Sequence, residues 1–221
     1  EKENSEIIHS LSKVIFQFLK GARAEGSQGI LASRFFRKPT AEFQTKTTIE
    51  IRPFTENKII RTLNRAKAYA DPLIKALFKD RTELVPVARN PFSASLIAEY
   101  TEKHNQLPAN QSEMYQSYIQ NTLDACSDRL EKMNLTKEEV FECSVQIADE
   151  MFKNYGLEAP VNELRKKIKD FDIDNVIDIL KFARIGRLGT GDNNLCSFAH
   201  RRFCEYFAVQ KLIQNPDDKI L

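Results

Sequence analysis

The sequence predicts a mainly α fold: a helical region followed by a winged-helix arrangement, with a small α/β segment at the N-terminal end. Three observations predict it. Apolar residues recur at helical spacing over most of the chain. Two capping signals, Asn90-Pro91 and Thr136 with Glu139, open helices in its middle. Near the end, Gly189, Gly191, Asp192 and Asn193 crowd a turn between Leu188 and Leu195, which predicts a hairpin.

In chain order, Ile7, Ile8, Leu11, Val14, Ile15, Phe18 and Leu19 share one helical face, and Gly21 with Gly26 is expected to end that pattern. Gly29 to Arg34 is a short apolar run that meets polar residues abruptly, as a buried parallel strand does at its carboxyl end. Thr47, Ile49 and Ile51 alternate as in a second strand. Thr55 then caps a helix, with Phe54 and Ile59 placed as a hydrophobic staple.

Asn90 is a good N-cap, and Pro91 suits the first helical position, where its fixed φ fits and its missing N–H has no intrahelical partner to lose. The helix they open turns Phe92, Leu96, Ile97 and Tyr100 inward as ordinary core. Gln106 to Asn110 breaks the chain before a helix carrying Met114, Tyr115, Tyr118, Ile119 and Leu123. Thr136 and Glu139 form a capping box flanked by Leu135 and Val140, and Val140, Cys143, Ile147 and Met151 follow at helical spacing. The last third reads as a helix near Val161–Ile168, another near Asn175–Ala183, the hairpin from Gly186 to Phe198, and a closing helix that starts near His200.

The closing segment, Phe198, Ala199, His200 and onward through Glu205-Tyr206-Phe207, resembles the last motif of the winged-helix subdomain in NACHT and related STAND-type nucleotide switches. The resemblance covers about Ile30 to Leu212. It implies that His200 reaches the β-phosphate of bound ADP, that Ser33 and Arg34 sense a γ-phosphate, and that Asn90-Pro91 packs a proline ring against adenine. An imidazole N–H aimed at a phosphate beside a helix N-terminus makes a charge-assisted bond. Each position also has a plainer reading: a histidine satisfied by backbone or water, an arginine finishing a strand, a capped helix start. At Asn90-Pro91 the capping and base-packing readings hold together, since a capped start is a rigid place to hang a ring.

On this resemblance the chain divides into residues 1–53, the C-terminal remnant of a P-loop NTPase α/β domain; 54–156, a helical subdomain; and 157–221, a winged-helix subdomain. Gly21 and Gly26 have phosphate-loop spacing, but Ser27 and Gln28 stand where Lys and Ser or Thr belong, so no Walker A is present. No strand ending in acidic residues for Mg²⁺ precedes Ser33. The expectation is therefore the distal part of a larger signalling ATPase of innate immunity or antiphage defence. The intact protein would bind ADP or ATP with Mg²⁺. This part alone would bind none and catalyse nothing, because positioning and metal clamping supply most phosphoryl-transfer catalysis. The expected partners are the rest of its own NTPase domain and, on activation, further copies of the full-length protein.

Composition narrows the classes. In 221 residues, 42% hydrophobic content with 15 Phe can fill a core, while 33 Lys plus Arg against 31 Asp plus Glu give a net charge of +2 and no broad field for nucleic acid or anionic lipid. A winged-helix DNA-binding regulator with a helical dimerisation region is the alternative function, disfavoured because the helix after His200 offers Phe203, Tyr206, Phe207 and Leu212 with few cations. No apolar run approaches the roughly 20 residues needed to cross a bilayer, so no membrane is expected. Cys126, Cys143, Cys196 and Cys204 lack disulfide-framework spacing, which favours a reducing, cytoplasmic setting. A calcium loop over Asp170 to Lys181 is set aside because Asn175 replaces the required glycine and Lys181 the bidentate glutamate. Zinc on Cys196, His200 and Cys204 is set aside because a strand-to-helix change separates the first two and a fourth ligand is missing.

Overall fold

A computed structural model describes residues 2–27, 49–65, 70–189 and 194–214. The chain divides into two compact units, Glu1–Arg52 and Pro53–Leu221. In the first, helix α1 (Lys2–Ala24) runs through Gly21 and is stopped by Gly26, whose φ of +83° suits a residue without Cβ. Of the two glycines expected to break this helix, Gly26 does so and Gly21 does not. Leu11, Val14 and Phe18 line the face that the spacing predicts, and all three are exposed. The strand expected over Thr47–Ile51 is not formed in its described part: residues 49–51 lie outside any strand, with Ile49 and Ile51 84% and 90% exposed. Alternation makes a strand only where a neighbouring strand takes up its amides and a core takes up one face. Gly29–Arg34 lies outside the described residues.

The second unit opens with α2 (Glu56–Arg65), α3 (Ala70–Lys79), a 3-10 turn (Thr82–Leu84), α4 (Val85–Ala88), α5 (Pro91–His104), α6 (Gln111–Asp124) and α7 (Ser127–Lys132). It continues with α8 (Lys137–Glu150), β1 (Glu158–Pro160), α9 (Val161–Lys167), α10 (Ile173–Phe182), β2 (Gly186–Leu188), β3 (Leu195–Phe198) and α11 (Arg201–Gln214). The fold of the described residues is mainly helical with one small three-stranded antiparallel sheet in the order β1-β3-β2.

The caps account for where the helices begin. Thr55 C=O accepts from the amides of Lys58 and Ile59, Phe54 is partly buried against the core, and Ile59 is fully buried. The Thr136 hydroxyl accepts from the Glu139 amide at 3.1 Å and the Glu139 carboxylate accepts from the Thr136 amide at 2.7 Å, completing the capping box. Asn110 Oδ1 accepts from the Glu113 amide and starts α6. The Glu113 carboxylate in turn accepts from Tyr100 Oη and from the Ala109 amide, and Arg81 donates to the Pro108 and Ala109 carbonyls, so the 105–110 connection is tied from three sides.

The C-terminal core is built on α8. Val140, Cys143, Ile147 and Met151 are fully buried, and α8 packs chiefly against α11 and next against α10. It ends in a π-helical turn (Met151–Tyr155), closed by a 2.6 Å bond from the Gly156 amide to the Met151 carbonyl. Strand β3 is central: Ala159 and Leu188 both face Cys196 across the ladder, and Cys196 and Phe198 point inward while Leu195 and Ser197 are half-exposed. Pro160 is tolerated because β1 is an edge strand. At Gly186 a Cβ would meet the Leu180 Cβ at 3.0 Å, so a side chain there would press α10 away from β2.

Candidate functional site

Two helix starts meet at the side of α11. The first is that of α5. Asn90, in extended backbone, accepts through Oδ1 from the Phe92 amide at 2.9 Å and from the Ser93 amide at 3.3 Å, and Pro91 occupies the first helical position. The Arg89 carbonyl takes the Phe54 amide at 2.7 Å, which fastens the entry to α2 beneath this turn. Asn90 and Pro91 are both exposed.

The second start is that of α11. His200 immediately precedes it: Nδ1 accepts from the Arg202 amide at 3.2 Å, and the His200 carbonyl accepts from the Phe203 amide at 2.9 Å. A ring nitrogen here does what an Asn or Ser oxygen does at an ordinary N-cap. The plainer reading of His200 as a backbone-satisfied helix-start residue is thus fulfilled by one of its two nitrogens.

What joins the starts is a ring stack. Phe92 lies on the His200 imidazole with centroids 4.3 Å apart and planes 16° from parallel. Phe203, fully buried in the first turn of α11, meets Phe92 (5.5 Å, 88°) and His200 (6.5 Å, 78°) edge to face, and stacks on Tyr118 of α6 (5.5 Å, 12°). Tyr115 of α6 meets both Phe203 and Tyr206. Phe92, read from the sequence as plain core, packs partly buried against the core and also carries the link to His200. Its neighbours in sequence give no sign of this, because the partner ring comes from a distant part of the chain.

His200 is half-buried, and burial is the main cause holding its pKa below the ordinary 6.5; Arg202 and Arg187 act in the same direction and Glu205 opposes them. Glu205 is engaged by Arg201 at 2.7 Å and Arg202 at 2.9 Å. The shift favours the neutral form of an imidazole that lies beside two helix starts, where amide dipoles favour an anion.

Of the predicted ligand residues, the structure brings Asn90, Pro91 and His200 into one neighbourhood through Phe92. Ser33 and Arg34 lie outside the described residues. A shallow surface hollow of about 180 Å³, lined by Arg165, Asp174, Asp178 and Lys181 among others, includes none of them. Its carboxylates are engaged: Arg165 holds Asp174 at 2.6 Å, and Arg129 holds Asp178 at 2.6 Å. In the same acidic run, Asp172 caps α10 by accepting from the Asn175 amide at 3.1 Å. The run set aside as a calcium loop is thus used for capping and ion pairing. Cys196 and Cys204 are buried thiols, with burial pushing them up to about 12 and about 11, and no group of three His, Cys, Asp or Glu among the described residues is arranged to hold a metal. No helix among the described residues is long and apolar enough to cross a membrane.

Helix α11, weighed from sequence as a groove-reading helix, instead buries Phe203, Tyr206 and Phe207 against α6 and α8, and Phe207 meets Phe141 at 5.4 Å. No family model matches the chain, and neither curated proteins nor solved structures include a significant match to it.

Proposed function

We propose that this chain is the distal part of a NACHT-type nucleotide switch, in which the paired starts of α5 and α11 receive the phosphate and base ends of ADP. The observation that carries the reading is the Phe92–His200 stack, which sets the histidine of the closing motif beside the Asn90-Pro91 turn. In this reading Pro91 packs on the adenine and His200 donates to a phosphate oxygen, and the γ-phosphate-sensing role of Ser33 and Arg34 rests on the resemblance alone. The arrangement α8-β1-α9-α10-β2-β3 with sheet order β1-β3-β2 is then a winged helix whose hairpin returns directly to His200. Exchange of ADP for ATP would break the His200 contact and free the winged helix to move, a population shift driven by differential affinity.

The DNA-binding alternative has less support. In a helix-turn-helix pair made of α9 and α10, the second helix would face the groove. The exposed side of α10 carries Asp174, paired to Arg165, Asp178, paired to Arg129, Lys181 and Phe182, which leaves one unopposed cation for a phosphate backbone where groove-reading helices carry several.

The test is to purify the longer protein without added nucleotide, denature it, and identify what is released. ADP in near-stoichiometric amount is the expected outcome. Release of no nucleotide, or a salt-dependent mobility shift of duplex DNA by the same preparation, would overturn the reading in favour of a scaffold or a DNA-binding protein.

A further inference from the structure

We infer that Phe92 is a positioning residue for His200: together with the Arg202 amide it fixes the imidazole as a neutral ring whose proton sits on Nε2, leaving the ring able only to donate to a ligand. The ligand's nature, a phosphate oxygen that can only accept, rests on the reading above; the state of the ring does not.

The argument begins with valence. Nδ1 accepts the Arg202 N–H at 3.2 Å, so it carries no proton, and a neutral imidazole then has its single proton on Nε2. An imidazolium would have donors at both nitrogens and would lose this acceptor. Burial and the guanidinium groups of Arg202 and Arg187 disfavour that cationic form. One hydrogen bond leaves the ring free to swing about its own axis, and the stack removes this freedom. Phe92 lies on one face at 4.3 Å with its plane 16° away, while the edge of Phe203 closes the neighbourhood at 78°. The direction of Nε2–H is therefore fixed before any ligand arrives, and preorganisation of this kind lowers the ordering cost of binding.

The consequence reaches beyond the ring. Phe92 is the second residue of α5, and its amide is held by Asn90, so the aim of the His200 donor depends on the placement of a helix start in the other half of the unit. Any shift of α5 relative to α11 would turn the donor away. Phosphate contact and the packing of the two halves are in this way one variable.

The test uses the ¹⁵N-labelled 221-residue chain and long-range ¹H–¹⁵N spectra of its three histidines, with His200 assigned by its disappearance in His200→Asn. Above pH 7 the His200 Nδ1 is expected to show the shift of an unprotonated nitrogen and Nε2 that of a protonated one. The ring protons are expected to be displaced upfield by the Phe92 face. Phe92→Leu should abolish that displacement, Phe92→Tyr should retain it, and thermal unfolding of both variants shows whether the fold survives. A proton on Nδ1 in the wild-type ring, or ring shifts unchanged in a folded Phe92→Leu, would overturn the proposal. No nucleotide enters this experiment, so its failure is distinguishable from failure of the nucleotide reading.

Discussion

The starts of α5 and α11 solve the same local problem with different chemistry. Each helix opens with amides that have no intrahelical acceptor. Asn90 saturates itself on that task, its one carbonyl oxygen taking two amides, whereas His200 spends one nitrogen on the Arg202 amide and keeps another that can only donate. A closed cap stabilises a helix. An open cap stabilises a helix and also offers a directed hydrogen bond, provided the ring is held, and Phe92 together with Phe203 holds it.

The largest effect on this comparison is expected at the residue both starts share. Phe203 is 1% exposed and touches Phe92, His200, Tyr115 and Tyr118, so Phe203→Ala removes a buried aromatic and the wall behind the stack at once. A loss of about 3–5 kcal/mol in denaturant unfolding is expected. A loss below about 1 kcal/mol would mean that the two starts are not joined through this ring.

Next come the caps themselves. Asn90→Ala should cost about 1 kcal/mol, and Asn90→Asp, which keeps an acceptor at the same place, much less. At α11, His200→Asn should preserve the cap while removing the stack, and His200→Ala should lose both, making Ala the costlier change by about 1 kcal/mol. Equal costs for the two His200 variants would show that Nδ1 contributes nothing as an acceptor.

A smaller effect follows from titration. The folded-state pKa of His200 is below its unfolded value of 6.5, so the unfolded chain binds more protons as pH falls through that range. The contribution is thus complete above pH 6.5 and is lost as pH drops from 6.5 toward the folded value, with a slope of at most about 1.4 kcal/mol per pH unit. Burial sets it first, with Arg202 and Arg187 acting in the same direction and Glu205 against them. Subtracting the His200→Asn stability profile from the wild type isolates this component. A difference that is flat between pH 7 and pH 5 would contradict it.

How much of this was legible in the sequence depended on how local the cause was. The Asn90-Pro91 start, the Thr136–Glu139 box and the hairpin between Gly186 and Phe198 all follow from neighbours a few residues apart, and each is where the spacing predicts it. Strand β1 is three residues long and ends in Pro160, too short to show alternation. The stretch 47–51 alternates, yet its described residues, 49–51, form no strand and leave Ile49 and Ile51 exposed. Similarly, α1 and α11 both carry apolar faces, but α8 and α6 cover that of α11 while Leu11, Val14 and Phe18 stay exposed. Spacing specifies a face and says nothing of what will cover it. The Phe92–His200 stack belongs to this second kind of information, which arises only when distant segments pack.

For the proposed nucleotide switch the most direct measurement is ADP retention by the longer protein that the proposal implies, carrying His200→Asn, compared with wild type under the same purification. The account predicts a folded protein with an intact α11 start whose ADP dissociation constant rises about 10- to 100-fold, the worth of one hydrogen bond to a charged phosphate. An unchanged dissociation constant in that folded variant would contradict it.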